Sequence, residues 1–186
     1  DFSKLNFQNL VHEKGNKNSL ISNYINAVLE DNEGNLWFGT NNGVSIFYRK
    51  NGTWKHLFQD QESNQGNVIL TLCESNDGKV WAGGYAFGIA EINKKNFSIK
   101  KYTAEDKFPI IATNHVYSIY RDEYSTNLWI GGIYGKVSCY NTKTKKTKIY
   151  GEESLRCFSS FNDSTIILGL YKGLYLMNIN TGEKKN

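Results

Sequence analysis

An all-β architecture is predicted by three features of the sequence: a recurring Trp-Gly unit, an alternating strand upstream of each copy, and a heavy aromatic load. The unit reads apolar, Trp, apolar, Gly, small at Leu36-Trp37-Phe38-Gly39-Thr40, Val80-Trp81-Ala82-Gly83-Gly84 and Leu128-Trp129-Ile130-Gly131-Gly132. A fourth copy, Ile166-Ile167-Leu168-Gly169-Leu170, lacks the Trp. Successive markers lie 44, 48 and 38 residues apart, bracketing the ~40 to 50 residues of one four-stranded propeller blade. The 12 Tyr, 10 Phe and 4 Trp favour strands, and no helical period interrupts the series. The predicted fold is therefore a set of antiparallel β-propeller blades, about four in number. At ~44 residues per blade a seven-bladed ring needs ~308 residues, so the chain is expected to form an open arc of a larger propeller.

The elements follow in order. Residues 1–19 are read as the end of a preceding blade or a linker, with an outer strand at Phe7–Leu10. Blades are then placed at 20–66, 67–114 and 115–154, with a degenerate or incomplete one at 155–186. Each opens on an alternating strand: Ile25–Leu29, Ile69–Cys73, Val116–Tyr120 and Leu155–Ser159. The central residue is always small (Ala27, Thr71, Ser118, Cys157), as an innermost strand requires where neighbouring blades converge. Polar turns lead to the marker strand, with Gly34 and Gly78 supplying the positive φ of a tight hairpin in the first two. A second turn carries Gly43, Gly88, Gly135 or Gly173, and a third strand such as Val44–Tyr48 follows. Outer strands are expected at Thr53–Phe58, Phe97–Tyr102 and Thr147–Tyr150.

Composition narrows the function classes. The net charge of +4 owes much to Lys143, Lys145, Lys146 and Lys148, interleaved with threonines as on a solvated hairpin. This is too local for a nucleic-acid footprint, so no direct nucleic-acid binding is expected. Cys73, Cys139 and Cys157 have neither CxxC spacing nor an even count, and read as small buried hydrophobes. No apolar run reaches membrane-helix length, so any membrane association belongs to a longer parent chain. His12, His56 and His115 have no ligand-spaced partners, and Asp31-Asn32-Glu33-Gly34-Asn35 is too short for a calcium loop. No metal, cofactor or catalytic residue is predicted.

The form apolar-Trp-apolar-Gly-Thr followed by Gly43-Val44, after Glu30-Asp31 and an Asn-Glu-Gly turn, resembles the two-component regulator propeller repeat. Ile21-Ser22-Asn23-Tyr24-Ile25 resembles that family's approach to the inner strand. The resemblance is strongest over Leu20–Phe58, covers nearly the whole chain, and weakens to the glycines in the last copy. It implies a piece of the periplasmic sensor region of a hybrid two-component regulator from Bacteroidetes, which detects polysaccharide breakdown products. The kinase and membrane helix such proteins carry are not part of this sequence.

Trp37, Trp81 and Trp129 occupy one repeat position and are read as wedges between sheets, with Gly39, Gly83, Gly131 and Gly169 as the accompanying markers. Candidate ligand contacts are instead loop residues that strand order collects on one face: Asn41, Asn42, Tyr85, Phe87, Tyr134, Tyr171 and Lys172. Aromatic rings beside amides and hydroxyls suit a sugar. The leading expectation is a non-enzymatic sensor module that binds, or helps to bind, an oligosaccharide. A propeller that only makes dimer or domain contacts is the alternative, and a propeller hydrolase or lyase ranks below both. The open faces of the arc are expected to be covered by self-association or by missing blades of the parent.

Overall fold

The computed structural model describes residues 9–59, 67–151 and 154–185, and every regular element among them is a β-strand. The first sheet comprises β1 (Ile25–Glu30), β2 (Leu36–Thr40), β3 (Gly43–Tyr48) and β4 (Thr53–Leu57). The second comprises β5 (Ile69–Glu74), β6 (Lys79–Gly84), β7 (Gly88–Asn93) and β8 (Ile99–Tyr102). The third is β9 (Val116–Arg121), β10 (Asn127–Gly132), β11 (Val137–Asn141) and β12 (Thr147–Tyr150). The fourth is β13 (Leu155–Asn162), β14 (Thr165–Leu170), β15 (Gly173–Asn178) and β16 (Lys184–Lys185). Each sheet is a four-stranded meander paired in chain order. The degraded fourth copy thus still forms a complete meander, although its outer strand is two residues long. Half of the outer strand expected at Phe7–Leu10 falls outside the described residues, and its other half, Asn9 and Leu10, is not strand.

The blades pack side by side through their inner strands: β1 contacts β5, β5 contacts β9, and β9 contacts β13. Among the described residues no comparable contact returns from β13 to β1, so the molecule is an open arc. Side-chain alternation sends one row of each sheet forward to the next blade and the other row backward. Trp37, Val44 and Ile46 face forward and share a core with Val80, Ala82, Ala90 and Ile92 of the second blade. Trp81 does the same against Leu128, Ile130 and Tyr140, and Trp129 against Leu168 and Met177.

The marker glycines set how closely the blades approach. Ala27, Thr71, Ser118 and Cys157 pair across the sheet with Gly39, Gly83, Gly131 and Gly169. A Cβ on Gly39, Gly83 or Gly131 would lie 3.0, 2.6 or 2.9 Å from Ile69, Val116 or Leu155. Those three residues occupy the first position of the next inner strand. The missing side chain therefore creates the socket into which the following blade seats.

The Trp indoles are tied down unequally. Trp37 Nε1 donates to Asp31 Oδ2 at 2.9 Å, and Trp81 Nε1 donates to Ser75 Oγ at 3.1 Å. In both, the acceptor lies six residues upstream. In the third copy the turn is one residue longer; Asp122 accepts from Tyr124 N and Ser125 Oγ instead. Trp129 Nε1 consequently has no hydrogen-bond partner among the described residues. Trp37→Phe is thus expected to destabilise by ~1 to 3 kcal/mol more than Trp129→Phe, because only the first leaves a buried acceptor short of a donor. Urea denaturation of both variants checks this, and equal losses would contradict it.

The cysteines divide by position in the arc. Cys73 and Cys139 are buried as expected, and burial pushes their thiols up to about 11 and about 12. Cys157 is exposed, contrary to the sequence reading, because its inner strand lies at the open end of the arc. Two outer strands are shorter than expected. Phe58 and Phe97 adopt left-handed backbone, with φ of 59° and 57°, and so lie outside β4 and β8.

Candidate ligand-binding face

Strand order delivers the β2–β3, β6–β7, β10–β11 and β14–β15 turns to the same face as the links into the inner strands. Backbone hydrogen bonds stitch turn to link in the first, second and fourth blades. Asn41 N donates to Tyr24 O at 3.2 Å, Tyr85 N to Val68 O at 3.0 Å, and Tyr171 N to Ser154 O at 3.0 Å. Gly43 N and Gly88 N donate to Asn67 O and Asn114 O. The first three links carry an Asn two residues before the first residue of the inner strand, in Asn23-Tyr24-Ile25, Asn67-Val68-Ile69 and Asn114-His115-Val116. The side chains of these asparagines bind the preceding segment, through His12 N, Phe58 O and Ala104 N. Repeated polar contacts therefore hold the loops of this face.

Where the turns of the second and third blades meet, Tyr85, His115 and Tyr134 form a row. Ring centroids are 4.6 Å apart for Tyr85 and His115, and 5.8 Å for His115 and Tyr134. Tyr85 is 51% exposed and Tyr134 81%. His115 Nδ1 accepts the Ala86 N–H at 3.2 Å, so a single ring proton sits on Nε2. Tyr134 has φ of 60°, a conformation that a bulky residue adopts at a cost and that concentrates at binding sites. Its N–H also donates to Ser154 Oγ at 3.3 Å, so Ser154 holds both Tyr134 and the exposed Tyr171. A hollow of about 330 Å³ lies beside this row, lined by Ala112, Tyr134, Gly135, Lys136 and Ser154.

The remaining predicted residues separate. Phe87 is only 3% exposed, packs edge-on against Phe58 at 5.1 Å, and belongs to the core between the first two blades. It is withdrawn as a surface contact, since the turn sends Tyr85 outward and Phe87 inward. Asn41 accepts from Asn26 Nδ2 at 2.9 Å and lines, with Asn42, a second hollow of about 370 Å³. Tyr171 and Lys172 are exposed at the far end of the arc. Two residues of this face were not singled out from the sequence: His115 and Tyr24, the latter 73% exposed beside Asn41. Both occupy the middle of the Asn-x-aliphatic link, and aligning the links would have found them.

The opposite face carries a charged knot. Lys94, in the β7–β8 turn, reaches back to the first blade with its side chain 7% exposed. Its Nζ lies 2.6 Å from Glu74 Oε1, 3.6 Å from Glu33 Oε1 and 3.8 Å from Asp31 Oδ2, and it donates to Asn32 Oδ1. Glu74 Oε2 accepts from Asn32 N at 2.8 Å. Burial alone would lower the Lys94 pKa, but the Glu74 bond and the nearby carboxylates raise it. Burial likewise opposes ionisation of Asp31, yet donors from Trp37, Asn35 and Glu33 hold its carboxyl below the usual value. Among the described residues no group of three metal-ligating side chains converges.

The fold and this face define a β-propeller segment whose rigid blades present loops on one side. Residues 19–42, in the first blade, match the family described as two component regulator propeller. A histidine kinase of Formosa agariphila is 28% identical over 169 residues, covering 86% of this chain and 12% of that protein. The extracellular domain of a hybrid two-component system from B. thetaiotaomicron superposes with a TM-score of 0.76 at 20% identity, over 94% of this chain and 25% of that one. Virginiamycin B lyase from Staphylococcus aureus superposes with a TM-score of 0.65 at 17% identity, over 85% of this chain and 53% of that one. The chain thus spans about an eighth of the kinase's length, and these structural likenesses establish the fold.

Proposed function

We propose that the chain is a non-enzymatic sensor module of a hybrid two-component histidine kinase, placed outside the cytoplasmic membrane. In this reading the face bearing Tyr85, His115 and Tyr134 binds a carbohydrate breakdown product. The repeat match and the kinase and extracellular-domain relatives support the sensor assignment. One observation carries the ligand assignment: a Tyr-His-Tyr row whose two tyrosines are exposed, beside a hollow lined by Tyr134 and Ser154. Ring faces take the apolar C–H patches of a sugar and the polar groups take its hydroxyls. Signalling follows if ligand binds one arrangement of the parent assembly better than another.

A binding screen with short oligosaccharides, followed by calorimetry on the best binder, tests the reading. Tyr85→Ala and Tyr134→Ala are each expected to lower affinity by about tenfold, equivalent to ~1.4 kcal/mol. The melting temperature should hold, because both rings are largely exposed. Affinity unchanged in both variants would remove these residues from the site.

A further inference from the structure

The row of Tyr85, His115 and Tyr134 is assembled from three separate stretches of chain: the β6–β7 turn, the link into β9 and the β10–β11 turn. One buried hydroxyl stands where they meet. Thr113 is 7% exposed, and its Oγ1 donates to Ile133 O at 3.0 Å while accepting the His115 N–H at 3.1 Å. It holds the residue before Tyr134 and the backbone of His115 at once. His115 Nδ1 in turn accepts the Ala86 N–H, which carries the connection to the residue after Tyr85. A continuous polar chain thus joins the turn of the second blade to the turn of the third.

Close packing reinforces that chain from both ends of the β10–β11 turn. A Cβ on Gly132 would collide with His115 O, and one on Gly135 would lie 2.6 Å from Thr113 Cβ. The turn that carries Tyr134 is therefore clasped onto the link at Thr113 and His115. We propose that Thr113 is the positioning residue of the candidate ligand face, holding the aromatic row of two blades in one preformed arrangement. Its part in binding rests on the ligand reading above; the brace itself does not. A site ordered before its ligand arrives loses less side-chain and loop freedom on binding, and so binds more tightly. Thr113→Val keeps the branched shape against Gly135 but removes both hydroxyl bonds, freeing the two turns to move separately.

Nuclear magnetic resonance and calorimetry on the chain test the brace. Ring currents of Tyr85 and Tyr134 displace the His115 ring signals, and this displacement is expected to shrink in Thr113→Val and to persist in Thr113→Ser. Affinity for the best binder among cellotetraose, xylotetraose and maltotetraose is expected to fall about five- to tenfold in Thr113→Val, the effect of one lost hydrogen bond, and to recover in Thr113→Ser. Rescue by serine separates the hydroxyl from mere packing. His115 signals that stay unmoved in Thr113→Val would overturn the proposal. So would equal losses in the valine and serine variants, or full affinity in Thr113→Val where Tyr134→Ala loses it. A wild type that binds none of the three probes counts against the sugar reading instead, and the spectra then decide the brace alone.

Discussion

Trp81→Ala is expected to produce the largest loss of stability of any single substitution in the chain, ~3 to 5 kcal/mol. The indole is 0% exposed. It stacks on Tyr102 at 5.9 Å, meets Tyr140 edge-on at 5.7 Å, and donates to Ser75 Oγ. Tyr102 and Tyr140 belong to different blades, so removing the ring empties the seam between them and cannot be absorbed within one sheet. Blades interact chiefly with their neighbours, as in other repeat architectures. Urea unfolding should therefore shift from one transition to two, with the first two blades separating from the last two. A single transition displaced by less than ~1 kcal/mol would show that the seam repacks.

Lys94→Met comes second, at ~3 to 5 kcal/mol, the usual consequence of removing one partner from a buried ion pair. Glu74 and Asp31 would be left as buried carboxylates without the cation that both approach. Replacing Glu74 by Met as well should recover part of the loss, since paired apolar substitution relieves the desolvation of both charges. The double variant measured against each single one isolates the coupling, and strict additivity would contradict the arrangement. The pH dependence has a definite sign. Asp31 is held below its ordinary value of 3.8, so its contribution is present above that value and is lost as the pH falls through the lowered pKa. Lys94 is held above 10.5, so its contribution is present below that value and is lost as the pH rises through the raised one. Wild-type stability should fall at both extremes, and Lys94→Met should lose the lysine's alkaline limb.

The sequence carried the seams more openly than the surface. Trp37 and Gly39 recur with fixed spacing because the same inter-blade contact is made each time, and any constraint repeated at one period becomes visible as a period. The orphaned Trp129 Nε1 could also have been anticipated, since the spacing to the upstream Asp122 is seven residues where Trp37 and Trp81 have six. Lys94 could not have been: Asp31 and Asn32 lie in another blade and Glu74 on the inner strand of its own, and no local pattern links them. Phe87 was misplaced because a turn reverses direction over two residues, and nothing in Tyr85-Ala86-Phe87 says which ring points out. His115 was passed over as one of three scattered histidines, when its place in the Asn-x-aliphatic link was the informative feature.

The glycine sockets bear on how large a ring of such blades can grow. Adjacent inner strands are spaced by one repeated contact, the Ile69, Val116 or Leu155 side chain seated on Gly39, Gly83 or Gly131, so each junction is self-contained. Adding a copy of the repeat then widens the central opening while leaving the pitch between neighbours unchanged. Duplication or deletion of whole modules can tune the aperture without redesigning a single junction.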